Sequence, residues 1–171
     1  MPDLGSVWQE PGEFNLMVQP NQEALEILHE KREALDRLRQ GLLFTESRLM
    51  WPMTNTESCD AETLEKLSAF TERFAKLQDV LAGAMRHSII LQGENPLTFT
   101  DVLAVMEKLG IVEDQQEWIN IRLLRNKAAH DYTTDGERQA EYFNTLHAQL
   151  PALLGMTEKF LAWSSVKTDP F

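Results

Sequence analysis

The chain has 171 residues, 43% of them hydrophobic, and a formal charge of −11. That length and apolar content supply one sizeable core and make a single domain the expectation, while the acidity argues against a general nucleic-acid coat, whose affinity comes from neutralising phosphates with Lys and Arg. No run approaches the roughly 18 consecutive apolar residues of a membrane helix, and Met1 to Pro20 has neither a basic start nor an apolar block, so no membrane contact and a cytoplasmic location are expected.

Residues 1–20 contain Pro2, Pro11, Pro20, Gly5 and Gly12 and read as an extended N-terminal arm, in which Trp8, Phe14 and Met17 offer apolar groups for docking. From there the apolar periodicity is helical and no alternating run of a half-buried strand occurs, which makes the chain all-α. A first helix is expected from about Gln22 to Trp51. Leu28, Leu35, Leu42 and Leu49 recur by sevens on it, Leu25 and Leu38 widen the stripe, and Pro52 stops it. The lone Cys59 has no partner for an internal disulfide, which suits a reducing compartment, and its turn-like surroundings give it no nucleophilic setting.

A second helix starts near Asp60 and carries Leu67, Phe70, Phe74, Leu77, Leu81 and Met85 on one face, until Gly93 to Pro96 end it. It should pair antiparallel with the first. A shorter helix from Thr100 to Leu109 is closed by Gly110, the residue that most easily takes the left-handed C-terminal position. Asp114 with Glu117 resembles a capping box opening a fourth helix, with Trp118, Ile121, Leu124 and Ala128 turned inward. Thr134 with Glu137 is a second such box, opening a last helix striped by Phe143, Leu146, Leu150, Leu153 and Phe160 that Pro151 should kink or split near Gln149. The expectation is an up-and-down bundle of four to five helices over residues 21–165, with a short tail at 166–171. Such bundles host many unrelated functions, so function must come from a site.

One stretch is dense in chemistry: Leu124-Arg125-Asn126-Lys127-Ala128-Ala129-His130-Asp131-Tyr132. Arg offers a permanent charged fork for phosphate oxygens, and His moves protons near neutral pH. From Trp118 to His130 there are three bases, Arg122, Arg125 and Lys127, and no acid, so the local potential can be positive within a Debye length of about 8 Å. Arg122, Asn126 and His130 follow one another at i,i+4 and share a stripe, whereas Arg125 and His130 point roughly 140° apart on a regular helix. Two antiparallel copies of this helix across a two-fold axis would bring both residues into one cleft. Spacing alone leaves a plainer reading open: Arg125 as a surface cation near Asp131 or Glu137, His130 as a terminating cation, and Tyr132 as packing.

Arg125-Asn126-x3-His130-x-Tyr132 resembles the R-x4-H-x-Y signature of HepT-like proteins in the HEPN superfamily. Met106 to Val112, Glu117-Trp118 and Leu123 to Asn126 resemble the run leading into that motif, and Phe70 to Asp79 is similar to the preceding helix, so the likeness covers roughly Leu64 to Trp163. It implies a HEPN-like helical homodimer that cuts RNA without a metal ion or cofactor as the toxin of a toxin–antitoxin module. Its partner would be a minimal nucleotidyltransferase (MNT) antitoxin. Arg125 would stabilise charge on the scissile phosphate, His130 would act as general base or acid for attack by the 2′-hydroxyl, and Asn126 would orient the imidazole or the phosphate. Tyr132 would be the modification site, and Arg122 and Lys127 accessory phosphate contacts. The alternative within the same superfamily is a non-catalytic nucleotide-binding or nucleotidyltransferase-partner protein.

Other chemistries find little support. His29, His87, His130 and His147 lack metal-ligand spacing, and Gly83 and Gly93 stand singly rather than in a phosphate loop. Arg86-His87 is the other cationic pair near the cleft, more simply read as a solvated helix end. Trp51, Trp118 and Trp163 are expected as core or interface anchors.

Overall fold

In the computed structural model the described backbone covers residues 21–130 and 134–168, and the described side chains residues 21–127 and 134–165. The expected N-terminal arm, Tyr132 and the side chain of His130 lie outside the described residues. Those described form five α-helices and one 3₁₀ turn, with no strand.

α1 (Gln22–Ser47) opens on Asn21, whose side chain accepts the Glu23 N–H at 3.1 Å. Asn is suited to that place because its short carbonyl satisfies a donor the first turn leaves orphaned. Leu28, Leu35 and Leu42 are buried along the expected stripe. The helix ends several residues short of Trp51. The residue before a proline is steered out of helical geometry, and Trp51 leaves the helix line to stack on His147 of the last helix, with centroids 4.1 Å apart and planes 7° from parallel. Leu49 is still buried although it lies beyond the helix.

The 3₁₀ turn Thr56–Ser58 leads to α2 (Ala61–Leu91), capped by Asp60, which accepts the Thr63 N–H at 2.8 Å. All six residues of the expected stripe, Leu67 through Met85, are buried. Contacts fix α1 and α2 antiparallel: Arg48 pairs with Glu62, Arg73 donates to the Gly41 carbonyl and the Thr45 hydroxyl, and His87 meets the Ala24 carbonyl at 2.8 Å. α3 (Phe99–Lys108) carries a capping box that the spacing argument did not single out, with Thr98 and Asp101 each bonding the other's backbone N–H. Gly110 closes it at φ 72°, in the region that disfavours any other residue.

α4 (Gln115–His130) begins under Asp114, whose carboxylate accepts the Gln116 N–H at 2.8 Å. Among the described residues Glu117 returns no side-chain bond, so this is a single cap rather than a box. α5 (Gly136–Thr168) corrects three expectations. Its cap is Asp135, not Thr134: the Asp135 carboxylate accepts from Glu137 and Arg138 at 3.0 and 3.3 Å. It is not split at Pro151 but continues as one helix to Thr168. A proline there removes one N–H from the ladder, but Leu146, Leu150, Leu153, Met156 and Phe160, on both sides of it, are all buried in one core, and Pro151 itself is exposed. It also continues past residue 165 into the expected tail.

Gly136, the first residue of α5, explains how that helix enters. A β-carbon there would lie 2.1 Å from Asn55 Oδ1 and 2.9 Å from the Glu57 backbone N. Only glycine lets the helix start pressed against the 3₁₀ turn. One segment further along, Asn144 holds the Met53 backbone by a reciprocal pair of 2.7 Å hydrogen bonds. The core joins α1, α2 and α5, with α3 and the first half of α4 closing one side.

Candidate functional site

α4 is two helices in chemical terms. Its first half is anchored by Trp118 and Ile121, buried at 1% and 0% exposure, with Trp118 packed 5.6 Å from Phe99 of α3. Its second half rises onto the surface: Arg122, Leu123, Asn126 and Lys127 are exposed, Leu123 by 61%. At 100° per residue Ile119, Leu123 and Asn126 fall on one outward strip, while Arg125 shares the inward side with Trp118 and Ile121.

That geometry decides where each sequence-derived site residue goes. Arg125 reaches across to α2 and forms an ion pair with Asp79, Nη2 to Oδ2 at 2.6 Å, with side chains 34% and 52% exposed. The pair is charge-assisted and short, but an ion pair this open to water is worth roughly 0–1 kcal/mol. Of the acids expected beside Arg125 on the plainer reading, Glu137 is not its partner and Asp131 lies outside the described residues. Arg122, Asn126 and Lys127 make no hydrogen bond or ion pair among the described residues, which leaves their polar groups to water or a ligand. The backbone of His130 ends α4. The structure therefore sets Arg125 and Asn126 on different sides of one helix and joins none of the described candidates to another by a side-chain hydrogen bond or ion pair.

Asp79 is the residue the sequence argument missed. The acid-free window from Trp118 to His130 suggested an uncompensated positive patch, yet the fold places a carboxylate from 46 positions away against its central cation. The available signal was weak: Asp79 sits off the buried stripe of α2, beside Gln78, which is buried with its side-chain carbonyl oxygen unpaired.

The other cationic pair behaves differently from expectation. Arg86 donates to the Pro96 carbonyl at 3.1 Å and His87 meets the Ala24 carbonyl, so this pair ties down the end of α2 rather than forming a solvated helix end. His147 lies between Trp51 and Glu46, its Nε2 2.8 Å from Glu46 Oε1. Cys59 is half-buried, with its thiol 3.8 Å from the Asn55 carbonyl. Among the described residues no three of His, Cys, Asp and Glu converge so as to hold a metal ion, and no helix is long and apolar enough to cross a membrane.

The chain has two tyrosines, Tyr132 and Tyr142. The Tyr142 hydroxyl is buried without a hydrogen-bond partner, and burial pushes its pKa from 10.0 to about 12. Desolvation penalises the phenolate, so this oxygen is both hidden and poorly nucleophilic.

No family model, curated protein or solved structure matches this chain.

Proposed function

We propose that the protein is a HEPN-type, metal-independent endoribonuclease, the toxin of a toxin–antitoxin module, working as a homodimer under a nucleotidyltransferase-type antitoxin. The observation that carries the reading is the Arg125-to-Tyr132 sequence motif, whose Arg125 to His130 close α4, on the half of that helix where the side chains of Arg122, Asn126 and Lys127 stand exposed and unbonded among the described residues. In the reaction His130 takes the proton of the RNA 2′-hydroxyl, O2′ bonds to phosphorus and the P–O5′ bond breaks. A 2′,3′-cyclic phosphate and a 5′-hydroxyl end result, with His130 of the same or the second copy returning a proton to O5′. Arg125 faces the charge that builds on the phosphoryl oxygens, Asn126 orients the imidazole or the phosphate, and Arg122 and Lys127 hold flanking phosphates.

The homodimer unites what one helix separates. Arg125 and His130 diverge on α4, so the reading needs a second copy to bring them into one cleft. The outward strip with Ile119 and Leu123, 40% and 61% exposed, is apolar surface on which a second α4 can pack antiparallel, and Arg125, on the inward side, has to leave Asp79 to reach that cleft. Control by nucleotidyl transfer falls on Tyr132, because the only other tyrosine hides its hydroxyl. A nucleotide added there brings negative charge and bulk two residues from His130 in the chain, which would oppose binding of a phosphate. A second reading, a non-catalytic nucleotidyltransferase partner, is favoured by the charge of −11 and by the engagement of Arg125 with Asp79.

The test is induction of the chain in a bacterial host beside His130→Ala and Arg125→Ala versions at matched levels, with growth followed and the ends of RNA fragments analysed. Growth arrest with cyclic-phosphate fragments, relieved by both substitutions, is expected. Intact RNA and normal growth under the unsubstituted chain would move the weight to the non-catalytic partner.

A further inference from the structure

We propose that Asp79 is a latch on this site: its carboxylate holds Arg125 in reserve, and a phosphodiester of the bound strand displaces it and takes the guanidinium over. The inference rests on the reading that Arg125 meets RNA phosphate, and deepens it by naming what regulates that contact. Asp79 is a positioning residue acting through Arg125, not a catalytic one.

Three features of the pair carry the argument. A single hydrogen bond joins the partners, Nη2 to Oδ2 at 2.6 Å, although the guanidinium fork can grip a carboxylate with two. Both side chains face solvent, Asp79 by about half, so the pair is not locked by burial and can exchange partners. The carboxylate also lies where it does most harm to an incoming anion. A phosphate approaching Arg125 meets a like charge within bonding distance of the same nitrogen, so the two cannot share that edge. Asp79 must let go for a bidentate guanidinium–phosphate contact to form, and phosphate matches the fork as well as carboxylate does. An orienting acid would be sequestered and bonded twice, which Asp79 is not.

The neighbourhood makes the swap specific. Arg122, about 60° round α4 from Arg125, carries no acid partner among the described residues, while Arg125 is held. A neighbouring phosphate can therefore engage the exposed Arg122 first, and the local rise in anion concentration then competes Asp79 off Arg125. Short or isolated anions, which cannot reach Arg122 as well, leave the latch closed. That makes the site prefer a strand over a mononucleotide.

The experiment uses the full chain in four versions: unsubstituted, Asp79→Asn, Arg125→Gln, and both together. The probe is a fluorescein-labelled single-stranded RNA with 2′-O-methyl groups, which binds without being cut. Glu72→Gln, the loss of another exposed α2 acid, serves as the control for overall charge. Asp79→Asn is expected to tighten binding by about twofold to fivefold, the strength of an exposed ion pair. Arg125→Gln should weaken binding, the double variant should bind no better than Arg125→Gln alone, and Glu72→Gln should change little. If Arg125→Gln weakens binding while Asp79→Asn leaves it unchanged or weakens it, the latch is wrong and the proposed site survives. A gain from Asp79→Asn that persists without Arg125 would make the effect long-range charge and also overturn the latch. If Arg125→Gln binds RNA as tightly as the unsubstituted chain, the phosphate reading itself fails and takes the latch with it.

Discussion

The frame built by α1, α2 and α5 and the distal half of α4 obey different rules. In the frame one apolar stripe of each helix is buried, from Leu28, Leu35 and Leu42 on α1 to Leu146, Leu153 and Phe160 on α5, although Phe44 and Ile90 stand exposed off those stripes. On distal α4 the relation reverses: Leu123 is 61% exposed while the charged Arg125 turns inward toward α2. A helix whose only business is packing places its apolar residues against neighbours, because each buried side chain contributes about 1.5–3 kcal/mol. α4 meets that demand with Trp118, Ile121 and the half-buried Leu124, while Leu123, Asn126 and Lys127 beside them stand exposed. Stability and chemistry are thus separated along the chain, and substitutions in the two regions should read out differently.

The largest effect belongs to the frame. Phe74 is fully buried and packs 6.3 Å from Phe70 in the middle of α2. Phe74→Ala leaves a cavity among α1, α2 and α5 and should cost about 3–5 kcal/mol, measured by urea unfolding. A loss of less than about 1 kcal/mol would mean that the frame relaxes freely around the gap, and the contrast with α4 would be gone.

How far each region could be read from sequence follows from the same contrast. The α1 and α2 stripes were legible residue by residue, because burial against a neighbouring helix imposes a 3.6 period that leaves its mark in Leu and Phe positions. Helix ends were less legible. Thr134 and Asp135 are both good caps and adjacent, and local chemistry cannot choose between them; the choice is made by Gly136, which must sit against Asn55 and Glu57. Pro151 does not split α5 for a related reason, since propensity is local and the core holding α5 together on both sides of it is not. At the site, composition marked α4 as the place to look, and helical geometry separated Arg125 from the Asn126 stripe. The Asp79 partnership was invisible because no periodicity links positions 46 apart.

A smaller effect probes the first turns of α5 within the frame. Burial raises the Tyr142 pKa from 10.0 to about 12, so the folded state holds that proton after the unfolded chain has released it. Its contribution to stability is complete below pH 10.0 and is lost as the pH rises through about 12. Tyr142→Phe should remove this part of the alkaline destabilisation, leaving a flatter unfolding profile above pH 10.0. At neutral pH it should be neutral or stabilising by up to about 1 kcal/mol, because the hydroxyl it deletes is buried without a partner. Absorbance titration at the phenolate band supplies the direct check: the late-ionising tyrosine should be missing from the variant.

The smallest expected effect is the most discriminating for distal α4. Leu123 faces water in the single chain, so Leu123→Gln removes little buried surface and should shift the stability of that chain by no more than about 0.5 kcal/mol. A second copy packed on α4 changes the arithmetic. Apolar area covered in a dimer is counted in the stability of the dimer, and an interface that binds only folded chains raises the melting temperature with protein concentration. Sedimentation and melting of both versions across a wide concentration range therefore separate two accounts of the same exposed leucine. If the melting temperature is independent of concentration and identical in the two versions, Leu123 is a solvated residue and the two-copy cleft loses its apolar support. If the unsubstituted chain gains stability with concentration and Leu123→Gln abolishes that gain without altering the dilute limit, distal α4 is apolar because another α4 covers it. Its exposure would then follow the same packing rule as the frame, satisfied between chains instead of within one.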